Sequence, residues 1–180
     1  MYISIYYSSI TGNTKALADY VAEDLGSQGH QAAVFPSSAP DRDEDDEDRG
    51  ICILAFWCRR SGLDDLSARR LSRWKGRKVL AVGTIGGNVE GDYGDRVRRN
   101  VSEQISQDNE CLGVYICQGS VDLKRIERRR HLPEDSKHYV SDKKYRRFLA
   151  TQGHPDREDL ESVARAVRSA LESHRDKPGD

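Results

Sequence analysis

Residues 51–56 form an unbroken apolar run, Ile-Cys-Ile-Leu-Ala-Phe. A strand without polar alternation is typical of a parallel sheet, because helices then cover both of its faces. Four other β-rich segments, at 2–7, 31–35, 78–82 and 111–117, are separated by stretches with helical periodicity. This alternation predicts a doubly wound α/β fold with one five-stranded parallel sheet and helices on both faces.

The helical stretches are marked by apolar residues at helical spacing. They are residues 13–26 with Leu17, Val21 and Leu25; a segment with Leu63, Leu66, Leu71 and Trp74; a segment with Val97, Val101 and Ile105; a basic segment at about 120–130; and a last helix with Leu160, Val163, Ala164, Val167 and Leu171. Residues 36–50 are predicted to be a polar loop, and residues 131–155 are predicted to be irregular. The chain is interpreted as one domain, 1–174, with a tail at 175–180.

Charge excludes some partners. The 180 residues contain 29 basic and 30 acidic side chains, for a formal net charge of -1. A balance so near zero offers no global field for nucleic acid or an acidic membrane. Three local runs carry mostly one sign of charge: residues 41–48 are acidic, and residues 124–130 and 143–147 are basic. The basic runs are interpreted as solvated faces or as a docking surface for an acidic redox partner.

The thiols and the N-terminus indicate a cytoplasmic protein. No secretory signal and no apolar run of membrane-spanning length is present. The cysteines, none in a Cys-x-x-Cys pair, are Cys52, Cys58, Cys111 and Cys117. Reduced thiols are therefore expected. Cys58 is interpreted as a structural thiol, with a lowered pKa caused by the adjacent Arg59 and Arg60 as the alternative. The histidines lack zinc-type spacing, so no metal site is predicted.

A hydroxyl-rich loop, Ser8–Thr14, separates the first strand from the first helix. Ser9, Thr11 and Thr14 supply hydroxyls, Asn13 supplies an amide, and Gly12 permits close backbone approach. Backbone N–H groups at a helix start attract anions. The loop lacks the Gly-x-Gly-x-x-Gly of dinucleotide sites and the Gly-Lys-Ser/Thr of P-loops. It therefore favours one terminal phosphate monoester, with a simple capped turn as the alternative.

The segment Ser9-Ile10-Thr11-Gly12-Asn13-Thr14 resembles the FMN-phosphate loop of the flavodoxin family, with Ile10 at the variable position. The resemblance extends along nearly the whole chain in the order and spacing of elements. It implies sheet order 2-1-3-4-5, FMN as cofactor and electron transport as function.

The resemblance also implies that two further loops enclose the isoalloxazine ring. The first contains Phe56, Trp57, Cys58, Arg59, Arg60 and Gly62. Trp57 is expected to stack on the ring, whereas Phe56 continues a buried strand and is better explained as core. The Gly62 peptide is a candidate to reorient near flavin N5, or is a plain turn. Arg59 and Arg60 are expected to raise the reduction potential, because cations stabilise an anionic reduced flavin.

The second ring loop contains Thr84, Ile85, Gly86, Gly87 and Asn88, with Tyr93 as a candidate outer stacking residue. Its glycines are expected to permit close backbone approach to the ring edge. In many flavodoxins an obvious tyrosine and acidic residues occupy this loop, and here Gly86-Gly87-Asn88 replaces them.

A subgroup resemblance sharpens the functional hypotheses. Phe56-Trp57 with Gly62, Gly83-Thr84-Ile85-Gly86, and His154-Pro155-Asp156 are similar to bacterial flavodoxin-like proteins associated with bilirubin reductase. This implies a tetrapyrrole-reducing acceptor. The leading hypothesis is an electron carrier between a flavin reductase, or another donor, and an acceptor oxidoreductase. The alternatives are an FMN-dependent oxidoreductase acting directly on a quinone, tetrapyrrole or other small molecule, and a module that binds FMN without redox turnover.

Overall fold

The structure is a computed structural model that describes residues 1–40 and 50–175. Five strands and six helices follow one another in this part of the chain. In order they are β1 (Tyr2–Tyr7), α1 (Asn13–Ser27), β2 (Gln31–Pro36), β3 (Ile51–Trp57), α2 (Asp65–Leu71), β4 (Lys78–Ile85), α3 (Asp92–Ser106), β5 (Glu110–Gln118), α4 (Leu123–Arg130), α5 (Asp142–Leu149) and α6 (Arg157–Arg175).

All five strands pair in parallel in one sheet of order β2-β1-β3-β4-β5. The predicted fold class and strand order are therefore confirmed. The apolar run forms β3, the central strand, where residues 51–56 are all buried. Chain order reverses between β1 and β3, so the loops after these strands diverge and leave a crevice at the sheet's carboxyl edge.

Each face of the sheet has its own core. On one face, α1 and α6 pack on the strands through Leu17, Val21, Leu25, Val163, Val167 and Leu171. On the other face, the core contains Tyr6, Leu54, Phe56, Trp74, Val97, Val101 and Ile105. The helical periods predicted for α1, α3 and α6 therefore mark the stripes that these helices bury.

Two predicted boundaries were wrong. Residues 83–85, expected in a loop, extend β4 to Ile85. The strand continues because Gly83 pairs with Phe56 on β3, and its missing side chain makes room for that ring. A Cβ on Gly83 would lie 2.4 Å from the Phe56 ring. Residues 131–155, expected to be irregular, contain α5, whose N-cap Ser141 accepts a hydrogen bond from the Lys144 amide.

Other expectations concern the membrane and the chain ends. Among the described residues, no helix is long and apolar enough to cross a membrane. All four cysteines are free thiols. The acidic run 41–48 lies outside the described residues. The predicted tail begins inside α6, which ends at Arg175, and residues 176–180 also lie outside them.

Candidate functional site

A cleft of about 540 Å³ opens at the carboxyl ends of β1, β3, β4 and β5. Its volume is in the range of small-molecule sites, roughly 300–1,000 Å³. The structure brings together here eleven residues singled out from the sequence: Ile10, Thr11, Asn13, Thr14, Trp57, Cys58, Thr84, Ile85, Gly86, Gly87 and Tyr93. The three predicted loops therefore converge on one site, as strand ends on the same edge of a parallel sheet should.

The first loop ends in an open helix start. Gly12 has a left-handed backbone, with φ of 91°, and α1 begins at Asn13 with no side-chain cap. The first-turn N–H groups of α1 therefore have no side-chain cap. Asn13 and Thr14 of this turn line the cleft. Ser9 Oγ accepts a hydrogen bond from the Gly12 amide at 3.1 Å. Ser9 and Gly12 do not line the cleft but shape the loop that does.

Asn13 and Thr14 connect this loop to other strand ends. Asn13 Nδ2 donates to the Ser120 carbonyl at 2.8 Å, and Ser120 Oγ donates to Asn13 Oδ1 at 3.3 Å. Thr14 Oγ1 lies 2.8 Å from Thr84 Oγ1, and both side chains are buried. The loop is held in place before any ligand binds, which is the preorganisation that tight binding requires.

Trp57 and Tyr93 are the two large aromatic side chains that line the cleft beside the strand ends. Tyr93 lies in the first turn of α3, and its hydroxyl lies 3.5 Å from Cys58 Sγ. Burial raises the pKa of Tyr93 to about 12, and the Cys58 contact adds to this shift. Burial also raises the pKa of the Cys58 thiol, which fits the structural role favoured from the sequence and not the alternative of a thiol activated by Arg59 and Arg60. Both groups are protonated at neutral pH.

The two glycines of the second ring loop are required by packing. A Cβ on Gly86 would lie 2.7 Å from Val121 Cγ1, and one on Gly87 would lie 2.5 Å from Tyr93 Cε1. Both positions still line the cleft. The expected reason for these glycines was approach to a ligand, whereas the contacts that the structure shows are with neighbouring side chains.

Five predicted residues lie away from the cleft. Phe56 is fully buried in the core beneath Gly83, because it continues β3, so it is the core residue that the sequence favoured and not one of the cofactor contacts with which it was grouped. Asn88 lines an adjoining groove with Gly86, Gly87 and Phe148. The others, Arg59, Arg60 and Gly62, line a separate groove with Asn100 and Gln104.

The turn at 59–62 is tightly bonded. The backbones of Arg59 and Gly62 exchange two hydrogen bonds of 3.0 Å, and the intervening Arg60 and Ser61 have φ of 53° and 61°. Both polar groups of Gly62 are thus engaged, as in a plain turn. Arg59 Nη1 pairs with Asp65 Oδ1 at 2.8 Å. The effect of these arginines on a reduction potential stays a prediction.

Eight lining residues were missed from the sequence: Gly119, Ser120, Val121, Asp122, Arg125, Ile126, Arg129 and Phe148. The first four follow β5 directly. Since the loops after β1, β3 and β4 were all assigned to the site, the same strand-end reasoning could have found them. The other four lie on α4, which was predicted as a helix but not placed beside the cleft, and on α5, which was not predicted.

His154 is part of a small polar cluster rather than the isolated surface residue that the sequence suggested. Its Nδ1 is hydrogen-bonded to Asp159 Oδ2. A carboxylate oxygen of Asp156 lies within 4.8 Å of both atoms. Asp159 also accepts from the Asp156 amide at 2.9 Å, and Asp156 accepts from the Asp159 amide at 2.9 Å. These reciprocal bonds close the start of α6, so helix capping accounts for the cluster.

The residues present fit FMN. The uncapped start of α1 with its neighbouring hydroxyls suits a phosphate monoester. Trp57 and Tyr93 offer aromatic faces within the same cleft for a planar ring.

Comparisons with known proteins show the family and the fold of the chain. A family model described as Flavodoxin domain matches residues 4–168. A flavodoxin-like domain-containing protein BilS from Clostridioides difficile (strain CD3) is 28% identical over 170 residues, 93% of this chain and 94% of that protein. A BilS from Clostridium symbiosum (strain WAL-14163) is 24% identical over 187 residues, 95% and 96% of the two chains. Oxidised flavodoxin 1 from Bacillus cereus shares the fold, with a TM-score of 0.59 at 13% identity over 96% of this chain and 98% of that one.

Proposed function

The chain belongs to the flavodoxin family and is an FMN-binding electron-transfer protein, and on that premise we propose that it carries electrons from a flavin reductase or other donor to an acceptor oxidoreductase. FMN supplies the chemistry, because it accepts and releases electrons singly or in pairs. The protein supplies position, solvent exclusion and charge. We also propose that the protein works in the cytoplasm, which its four free thiols support.

The proposed binding mode follows the three loops. The phosphate lies at the start of α1 and accepts hydrogen bonds from Thr11, Thr14 and first-turn amides. Ser9 and Asn13 hold the loop in shape through their bonds to Gly12 and Ser120. The ring lies against Trp57 and Tyr93, with residues 84–87 along its edge.

One observation carries the assignment as a carrier rather than an enzyme. Among the described residues that line the cleft, Asp122 has the only carboxylate, and it caps α4 by accepting from the Arg125 amide at 3.2 Å. Cys58 and Tyr93 are both held protonated by burial. A base that could exchange protons with a substrate at neutral pH is therefore not evident among the lining residues, whereas electron transfer to a docked protein needs none.

A tetrapyrrole reductase is the proposed acceptor. The subgroup resemblance is to flavodoxin-like proteins associated with bilirubin reductase, and two relatives similar over almost the whole chain share the name BilS. The acceptor is therefore expected to resemble bilirubin reductase and to receive its electrons from this protein.

The second candidate, direct reduction of a small molecule, is favoured by one feature. The cleft continues past the strand ends to Arg125, Arg129 and Phe148. This outer part could hold an anionic or planar molecule beside the ring.

One experiment separates the two functions. The purified protein is loaded with FMN, its visible spectrum is recorded, and it is reduced with dithionite. Excess dithionite is removed, and one equivalent of a free quinone or of bilirubin is added with no other enzyme. Each reduced FMN can then give up its two electrons once, and a carrier is expected to pass them to the added molecule slowly. Rapid oxidation of the FMN with stoichiometric reduction of any of these molecules would establish the second candidate, and uptake of FAD or NADH in place of FMN would contradict both.

A further inference from the structure

The helices α4 and α5 together form a surface, called here the basic surface, with a strong excess of positive charge. Its nine basic residues are Lys124, Arg125, Arg128, Arg129, Arg130, Lys143, Lys144, Arg146 and Arg147. Its two acids are Glu127 and Asp142. Since the whole chain has 29 basic and 30 acidic residues, the rest has 20 and 28. The basic surface therefore has a net charge of +7, whereas the rest of the chain has a net charge of -8.

Little of this charge is neutralised by the protein itself. Asp142 Oδ1 pairs with Arg130 Nη2 at 2.6 Å. Glu127 Oε1 accepts a hydrogen bond from the Tyr145 hydroxyl at 3.0 Å. Within the described part of the chain, Arg130 is the only one of the nine basic residues with an ion pair. The other eight are exposed except for the half-buried Arg129.

Helix stability explains only part of this charge. The five arginines in the last turns of α4 and α5 lie where cations favour the helix dipole. Lys143 and Lys144, in contrast, lie in the first turn of α5, after Asp142. The positive end of the helix dipole is at this terminus, so cations there oppose helix formation. No residue of α5 is buried, so the helix gains little from packing. The lysines are thus placed where they do not help the fold.

The basic surface borders the cleft. Arg125 and Arg129 line the cleft itself, and Lys144 and Arg147 line the groove next to it. Phe148 lines both, so the two openings meet at its side chain. On the proposed function, a macromolecule that covered this surface would be brought next to the flavin.

We propose that the basic surface is the docking site for an acidic electron-transfer partner, whose carboxylates surround its own redox centre. This inference rests on the proposed function and adds the chemistry of the partner. Opposite charges steer two proteins together and orient their redox centres. Each electron that this protein loses is gained by the partner, and the basic side chains only hold the pair together.

A nucleic acid is the less favourable occupant. Binding of single strands needs exposed aromatic faces on which bases stack. The Tyr145 ring is covered by the Arg130 guanidinium, whose carbon lies 4.3 Å from the ring centroid, and Phe148 lines the cleft. The basic surface therefore offers charge without a stacking platform.

Stopped-flow electron transfer tests the proposal with two haem proteins of opposite charge as probes. The FMN-loaded, dithionite-reduced protein is mixed with oxidised cytochrome b5, which is acidic, or with oxidised cytochrome c, which is basic. The rate constant with cytochrome b5 should fall by about 10-fold or more as ionic strength rises from about 0.02 M to about 0.2 M, because salt screens steering. The rate constant with cytochrome c should not fall.

Charge reversal then locates the effect. The variant Arg128→Glu/Lys143→Glu/Arg146→Glu changes three exposed residues that line neither the cleft nor the groove. At low salt it should react about 10-fold more slowly with cytochrome b5 and faster with cytochrome c. The matched control, Arg69→Glu/Arg73→Glu/Arg99→Glu, alters net charge equally at exposed residues on and after α2 and on α3. It should change the cytochrome b5 rate much less.

The neutral variant Arg128→Gln/Lys143→Gln/Arg146→Gln gives a smaller loss in the same direction and serves if the reversed variant fails to fold. Unchanged cytochrome b5 rates in a variant that retains the FMN spectrum would overturn the docking site. So would equal losses in the control, or a short single-stranded RNA that binds more tightly than cytochrome b5 at the same salt. Failure of the proposed function looks different: the wild-type protein would reduce neither cytochrome, or would turn over small molecules alone.

Discussion

The two walls of the cleft are built in different ways. The first wall is the loop before α1 together with α1, whose Leu17, Ala18 and Val21 are fully buried against the sheet. The second wall is α4 and α5. Ile126 is the one buried residue of α4, and α5 has none. The first wall is thus part of the core, whereas the second is attached to its surface.

Polar bonds attach the second wall to the strand ends. The Val121 amide donates to Thr151 Oγ1 at 3.2 Å, Gln152 Nε2 donates to the Val121 carbonyl at 3.1 Å, and the Ser120 amide donates to the His154 carbonyl at 2.8 Å. Such a wall can change its charge without disturbing the core. On the proposed function, this difference means that cofactor binding rests on a part of the core, whereas partner choice rests on a part attached to its surface.

The largest expected effect concerns the phosphate on the first wall. The variant Thr11→Ala/Thr14→Ala removes two hydroxyl donors to a charged acceptor, each worth about 1.5–3 kcal/mol. FMN affinity should therefore fall by about 3–6 kcal/mol, roughly 10²–10⁴-fold. Fluorescence titration with FMN measures this loss.

The control for that variant is Ser136→Ala/Ser141→Ala, which removes two hydroxyls near the second wall. FMN affinity there should change by no more than about 0.5 kcal/mol. If the threonine variant keeps wild-type affinity and its circular dichroism spectrum, the phosphate does not lie at this loop.

The second effect concerns stability. Leu17 is fully buried in α1, whereas Leu149 at the end of α5 is 42% exposed. Leu17→Ala should lower the free energy of unfolding by about 2–5 kcal/mol, because it leaves a cavity. Leu149→Ala should change it by no more than about 0.5 kcal/mol. Urea unfolding followed by circular dichroism compares them, and equal losses would show that the second wall is as well anchored as the first.

The third effect tests the flavin ring. Trp57→Ala should weaken FMN binding by about 1–3 kcal/mol, the range for stacking of a base on an aromatic side chain. Phe148→Ala on the second wall is the matched aromatic change, and FMN affinity should stay within about 0.5 kcal/mol of wild type. If Phe148→Ala has the larger effect, the ring lies against the second wall.

The smallest effect concerns the pH dependence of stability and His154, which follows the second wall in the chain. The hydrogen bond to Asp159 raises the pKa of His154, so the folded protein holds this proton more tightly than the unfolded chain does. Its contribution is present below about pH 6.5, the unfolded value, and is lost as pH rises through the raised pKa. Since the pair is partly exposed, the contribution is about 0.2–1 kcal/mol.

Urea unfolding at about pH 6 and about pH 9 measures this contribution. The difference between the two values should shrink in His154→Gln and persist in His138→Gln, which alters an exposed histidine. An unchanged difference in His154→Gln would mean that other groups cause the pH dependence.

The sequence by itself determined the parts of this protein that depend on local pattern. The apolar run of β3, the helical stripes of α1, α3 and α6, and the hydroxyl-rich loop at 8–14 each follow from residues close together in the chain. Once five strands alternate with helices, right-handed crossovers leave few topologies. The fold, the strand ends that meet and a site for a phosphate monoester were therefore within reach before any coordinates, and FMN was implied by the resemblance of the loop to the flavodoxin family.

Only the tertiary structure decided how distant segments meet at the cleft. Asn13 is bonded to Ser120, which is 107 residues away, and Thr14 contacts Thr84, which is 70 residues away. The helix α5 carries Tyr145, Phe148 and Leu149 at helical spacing, a signal that was missed in a short and highly charged segment, but it buries no residue, so its place beside the cleft could not be predicted from a core-facing stripe. Arg125, Arg129 and Phe148 enter the cleft because of the path that the chain takes after β5. Local pattern reports which face of an element is apolar, whereas the partner of that face is set by packing over the whole chain.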